Sequence, residues 1–128
     1  MRFMILVKAD KSSEAGAMPD EKMLAEMGKY NEELAKAGIM LAGDGLAPSS
    51  KGARVRFNGK NRTVIDGPFT EAKEIVGGFW IIDCASKDEA VEWAKRCPLG
   101  GDAFIELRQI AGEADLPPEV RAAEAARA

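Results

Sequence analysis

The chain has 128 residues, of which 46% are apolar and 30% charged, and its formal net charge is −3; that length supports one hydrophobic core, and the composition is too apolar for wholesale disorder. The acidic balance gives no electrostatic basis for a nucleic-acid partner, no apolar run approaches the roughly 20 residues that span a bilayer, and Met1 to Lys8 lacks the h-region of a secretion signal, so a cytoplasmic protein without nucleic-acid or membrane partners is expected. Cys84 and Cys97 stand without a second pair and there is no histidine, which excludes a zinc knuckle, a CxxC redox site and every triad with a His base.

No metal and no cofactor is expected, and any acid–base work falls to carboxylates, lysines, Tyr30, a cysteine or bound water. The two thiols read as buried and unpaired.

In chain order, Arg2 to Lys8 (RFMILVK) is apolar on both sides and reads as a strand covered on both faces. Ala9 to Met18 reads as a loop, and Pro19 with Asp20 signals a helix start. Met23, Met27, Tyr30 and Leu34 share one helical face as a core stripe, and Gly38 supplies a left-handed stop. Ile39 to Leu46 is a strand whose Gly43, Asp44 and Gly45 predict a bulge or a close backbone approach. Asp44 itself is open between turn former and cleft residue.

Ala53 to Phe57 and Arg62 to Asp66 bracket Asn58 and Gly59, which predicts a hairpin with both turn residues at positive φ. Gly78 to Cys84 reads as a central strand. Ser86 and Glu89 form an S-x-x-E capping box that opens a helix with Ala90, Val91 and Ala94 inside, closed by Pro98. After Gly100 and Gly101, Ile105 and Leu107 point one way while Phe104, Glu106 and Arg108 point the other. The core fold is complete by about Ile110, so 1–110 is read as one domain and 111–128 as a tail that is either a short helix or frayed chain.

This order predicts an α+β, ferredoxin-like βαββαβ fold elaborated by an extra hairpin strand, with an antiparallel sheet and both helices on one face. The other face, carrying Phe104 and either Phe79 or Trp80, calls for cover. A second copy is the simplest one, giving a homodimer whose clefts collect polar residues such as Glu106 and Arg108.

The least ordinary segment is Asp66-Gly67-Pro68-Phe69-Thr70-Glu71-Ala72-Lys73-Glu74. Asp66 is placed to accept bonds from the turn amides that follow, Gly67 and Pro68 force a fixed bend, and Phe69 anchors the loop. Local chemistry leaves two readings open, a rigid corner of the fold or the wall of a pocket.

The segment resembles the DGPF-motif (DGPFAETKE) branch of the YCII-related proteins, within the dimeric α/β-barrel superfamily. The likeness runs from RFMILVK through Ala37-Gly38, Gly43 to Leu46 and Ser86 to Pro98, and it ends at Glu106-Leu107-Arg108, where that branch has Glu-x-Arg-Pro. It implies the same fold, a homodimer and a pocket near the motif, with Asp66, Gly67, Pro68, Phe69, Lys73 and Glu74 as motif positions. The His–Asp pair of YCII-type members has no counterpart here, because the chain has no histidine.

Two functions follow as expectations. One is an enzyme doing isomerase- or lyase-type proton transfer on a small anionic metabolite in the dimer cleft. Asp66 or Glu74 is its base, and Lys73 or Arg108 holds the substrate carboxylate, with Phe69, Glu106 and Asp44 as further contacts. The other is a non-catalytic binding or regulatory module, which the resemblance links to alternative sigma factor systems.

Overall fold

Strands and helices are interspersed along the chain in the computed structural model, which describes residues 1–71, 74–101, 103–112 and 115–127. The elements are β1 (Arg2–Lys8), α1 (Lys11–Glu14), α2 (Glu21–Lys36), β2 (Met40–Gly45), a 3-10 turn (Ser49–Lys51), β3 (Ala53–Asn58), β4 (Asn61–Asp66), β5 (Val76–Asp83), α3 (Lys87–Lys95), β6 (Ile105–Gln109) and α4 (Pro118–Arg127). Four strands form one sheet in the order β2-β5-β1-β6, and all neighbours are antiparallel. With α2 and α3 as crossovers this is the ferredoxin-like α+β arrangement.

The helix boundaries have local causes. The Asp20 side chain accepts the Met23 N–H at 2.8 Å and so caps α2, and Gly38, at φ 72°, ends it. Ser86 accepts the Glu89 N–H at 3.2 Å and opens α3. Glu89 reaches back to the Ala85 N–H at 3.1 Å, one residue before the position that a reciprocal box uses.

One sheet face carries the core. Phe3 and Ile5 from β1 and Trp80 and Ile82 from β5 pack with Tyr30 and Leu34 of α2 and Ala90 of α3, alongside Cys84 and Cys97. Ile5, Leu34 and Ile82 are wholly buried, and each such side chain contributes about 1.5–3 kcal/mol of transfer free energy. Tyr30 meets Trp80 edge to face at 5.2 Å and donates its hydroxyl to the Trp93 carbonyl at 2.8 Å, tying α2 to α3 over the same face. The Trp80 indole N–H donates to Asn31 at 2.7 Å, which satisfies its polar edge.

β2 shows the close approach expected at its glycines, whereas its bulge falls ahead of them. Its register against β5 shifts between Met40 and Ala42, leaving Leu41 as the bulged residue, and a Cβ at Gly43 would lie 2.6 Å from Cδ1 of Trp80.

The face turned away from the helices is read directly from the register. Asp44, Phe79, Leu6 and Glu106 lie side by side across the four strands, and Ala42, Ile81, Met4 and Arg108 form the next row. Phe79 therefore belongs to this open face and Trp80 to the core. Met4, Leu6, Phe79 and Ile81 remain partly exposed.

β3 and β4 form the expected hairpin, but as a separate two-stranded sheet rather than an added strand of the main one, with nearly every residue exposed. Its turn lies one residue later than predicted. Asn58 pairs with Asn61, so Gly59 and Lys60 make the turn, and only Gly59 has positive φ, at 59°. Asn58 stays in the ladder because one glycine at the first central position already matches the strand twist.

Candidate functional site

The main sheet ends where β1 and β2 finish and β5 begins, and three loops meet there. The Ala9 N–H donates to the Ile75 carbonyl at 2.8 Å and the Leu46 N–H to the Gly77 carbonyl at 2.9 Å, which pins the loops to the start of β5. Residues 11–14, within the span read as loop, are instead the single turn α1. Asp10 and Ser13 cap it reciprocally, Asp10 accepting the Ser13 N–H at 2.7 Å and Ser13 the Asp10 N–H at 3.0 Å.

That turn delivers Glu14 to Ser49. One carboxylate oxygen of Glu14 accepts the Ser49 N–H at 2.8 Å, and the other accepts the Ser49 hydroxyl proton. The hydroxyl oxygen in turn accepts the Phe69 N–H at 3.0 Å. Ser49 is the buried polar residue among those described, and both its donors are satisfied, as burial requires.

The loop after β4 is thus held from outside itself. The Gly67 N–H donates to the Gly52 carbonyl at 3.0 Å, the Gly67–Pro68 peptide is cis, and Phe69 hangs from Ser49. Asp66, expected to gather these amides, has no such bond among the described residues. Gly52 and Ser49 have already taken the Gly67 and Phe69 N–H groups, and the Asp66 side chain stands exposed at the end of β4 opposite Ala53.

An open groove of about 430 Å³ runs beneath this loop, with Leu46, Ser49, Lys51, Arg54, Phe69 and Glu74 among its walls. The Arg54 guanidinium lies 3.8 Å from the centroid of the Phe69 ring. Stacking of this kind orients the cation while leaving its N–H edge for an acceptor. No carboxylate among the described residues forms an ion pair with Arg54 or Lys51. Two cations and one carboxylate, Glu74, therefore share one concavity with an apolar floor, a composition suited to a small organic anion.

The residues singled out from sequence fall into two groups. Phe69 and Glu74 line the groove, while Gly67 and Pro68 form the cis-peptide bend just before Phe69 and are not among its walls. Asp44, Glu106 and Arg108 lie on the open face of the sheet. There Glu106 contacts Lys8 at 3.7 Å and Arg108 at 3.3 Å, the mutual pairing that alternation along β6 allows; exposed pairs of this kind contribute about 0–1 kcal/mol. Asp66 is not among the groove's walls, and Lys73 lies outside the described residues. Glu14, Ser49, Lys51 and Arg54 were not singled out from the sequence. The D-x-x-S spacing of Asp10 and Ser13 was the one local signal, since it spells a capping box with two short side chains.

The architecture is that of a ferredoxin-like α+β protein with a cationic groove at one end of its sheet. The chain belongs to the YCII-related family: the family model described as the YCII-related domain matches residues 1–113. It is similar to an uncharacterised protein of Rhizobium meliloti (strain 1021), with 33% identity over 97 residues, covering 74% of this chain and 78% of that one. Among solved structures it is similar to 5-chloro-2-hydroxyhydroquinone dehydrochlorinase from Burkholderia phenoliruptrix AC1100, in complex with 2,5-dihydroxybenzoquinone. That match has 20% identity and a TM-score of 0.42, over 90% of this chain and 99% of that one, a likeness too distant to assign chemistry.

Proposed function

We propose that this protein is a homodimer that takes a small anionic organic molecule into the groove beneath Phe69 and moves a proton on it, as an isomerase or lyase does. The observation that carries the reading is the presence of Arg54, stacked on Phe69, and Glu74 in the walls of the same groove. Arg54 and Lys51 hold the ligand's carboxylate. The Glu74 carboxylate takes a proton from a carbon beside that carboxylate; in an isomerisation it returns the proton to another carbon, and in an elimination the neighbouring carbon's bond to the leaving group breaks and the leaving group departs with the electron pair, so that neither needs a redox partner. The open sheet face, with Met4, Leu6, Phe79 and Ile81 partly exposed, supports pairing with a second copy, which would bring the Asp44, Glu106 and Arg108 rows into an intersubunit cleft.

The exposure of Glu74 favours a second reading, in which the same groove binds its ligand without turnover and the protein acts as a regulatory module. A thermal-shift screen of small carboxylic acids, lactones and phosphorylated metabolites tests the shared part. A ligand at a hundred times its dissociation constant adds about 2.7 kcal/mol to native stability, and Arg54→Ala should abolish that gain. The hit is then incubated in D2O. Deuterium incorporation or conversion of the hit to an isomer or elimination product, lost in Glu74→Gln, supports the enzyme, binding with neither supports the module, and no hit across the three classes overturns both.

A further inference from the structure

Glu14 is not among the groove's walls, yet it is joined to them. Its two carboxylate oxygens take both donors of Ser49, Ser49 takes the Phe69 N–H, and the Phe69 ring carries Arg54. The chain of contacts runs from the loop after β1, through the loop after β2, to the loop after β4, and adds side-chain ties to the backbone bonds that already hold these loops near one another.

We propose that Glu14 and Ser49 are positioning residues: a latch between a partly buried carboxylate and a buried serine that sets where Phe69 stands and, through it, aims the Arg54 guanidinium into the groove. This rests on the reading of the groove as an anion site. The residue types fit the task. A carboxylate offers two acceptors to the two donors of one serine, its N–H and its hydroxyl, whereas a glutamine offers a single side-chain carbonyl. A serine hydroxyl both donates and accepts, so it relays the connection from Glu14 to an amide that would otherwise be left without its partner. Glu14 thereby influences a ligand it does not touch. The Gly67 backbone packed against the Ser49 carbonyl leaves the Phe69 loop little room for another position.

The test uses the full chain, labelled with 15N and 13C, in the parent, Ser49→Ala, Ser49→Thr and Glu14→Gln. Three quantities are read by NMR: exchange of the Phe69 amide, the ring-current shift that Phe69 imposes on the Arg54 side chain, and the dissociation constant of benzoate as a small carboxylate probe. In Ser49→Ala the Phe69 amide should exchange roughly tenfold faster, as loss of one hydrogen bond implies. The Arg54 shift should collapse toward its unstacked value and benzoate affinity should fall, while the Ile5 and Ile82 amides keep their protection. Ser49→Thr, which restores the hydroxyl, should recover all three.

Glu14→Gln keeps one acceptor and should fall between parent and Ser49→Ala; it carries the measurement if Ser49→Ala does not fold. An Arg54 shift and a benzoate affinity unchanged in these variants would overturn the latch. If the parent binds no benzoate while the Arg54 shift still collapses in Ser49→Ala, the latch stands as the device that sets the groove's shape, and it is the anion reading that fails.

Discussion

The Cβ that Gly67 lacks would stand 1.8 Å from the carbonyl oxygen of Ser49. The obstacle is main chain, so no rotamer change relieves it and one of the two loops must move. Gly67→Ala is expected to lower the unfolding free energy by about 1–3 kcal/mol, the usual cost of overpacking, and to release the Phe69 amide from Ser49. Urea denaturation and amide exchange check this. An unchanged midpoint with Phe69 still protected would mean that the two loops yield freely.

Tyr30 and Ile82 allow the energies of polar and apolar contacts to be compared within one core. Tyr30→Phe removes the hydroxyl bond to the Trp93 carbonyl, but that carbonyl still accepts the Arg96 N–H at 3.1 Å. The cost should therefore be small, about 0.5–1 kcal/mol. Ile82→Ala opens a cavity at a wholly buried site and should cost about 2–5 kcal/mol. Denaturant midpoints at constant m-value decide whether that order holds.

The alkaline limb of stability follows from buried neutral acids. Burial pushes the Cys97 thiol from 9.0 up to about 11. The Cys84 thiol is also raised, chiefly by burial and then by Glu89 and Asp83. The unfolded chain thus releases these protons first, so stability is flat below about pH 9 and falls as pH climbs through the range 9 to 11. Urea midpoints measured from pH 7 to 11 should show this decline, shallower in Cys97→Ala. Both thiols are free and buried, so a thiol reagent should find them slowly in the native protein and at once in urea.

Phe79 sits at the middle of the open sheet face, between Asp44 and Leu6. A glutamate there would place a charge on the face that the proposed dimer buries. On the proposed dimer, the parent should sediment as a dimer and Phe79→Glu as a monomer with the parent's circular dichroism. A monomeric parent would remove the basis for an intersubunit cleft.

The fold was legible wherever a signal is local or periodic. Met23, Met27, Tyr30 and Leu34 mark the face of α2 because side chains three and four apart share a side. Gly38 marks its end, and the alternation of Ile105 with Glu106 marks the two faces of β6. The hairpin was foreseen, but its turn was placed one residue early because Asn-Gly and Gly-Lys both supply the required glycine and sequence alone does not rank them. The site was only half legible. Phe69 and Glu74 stand in a motif that can be read along the chain. Glu14, Ser49 and Arg54 matter because of hydrogen bonds and stacking between residues 15 to 35 positions apart, and no periodicity encodes such distances. Asp66 misled for the same reason: a carboxylate beside turn amides is the local solution, and Ser49 and Gly52 supplied a non-local one.

The hairpin of β3 and β4 leaves and rejoins the rest of the chain at nearly one point, where the Gly67 N–H meets the Gly52 carbonyl. Everything beyond that closure is a peninsula, since the groove depends on its base and, among the described residues, its far end makes the two-stranded ladder and contacts of Arg62 within the hairpin itself. Lengthening a flexible loop at Gly59 and Lys60 costs only about 0.6 kcal/mol per doubling. The tip is therefore the natural place to graft a tag or fluorophore, or to let evolution add a new recognition element, without disturbing Ser49 and Phe69 below.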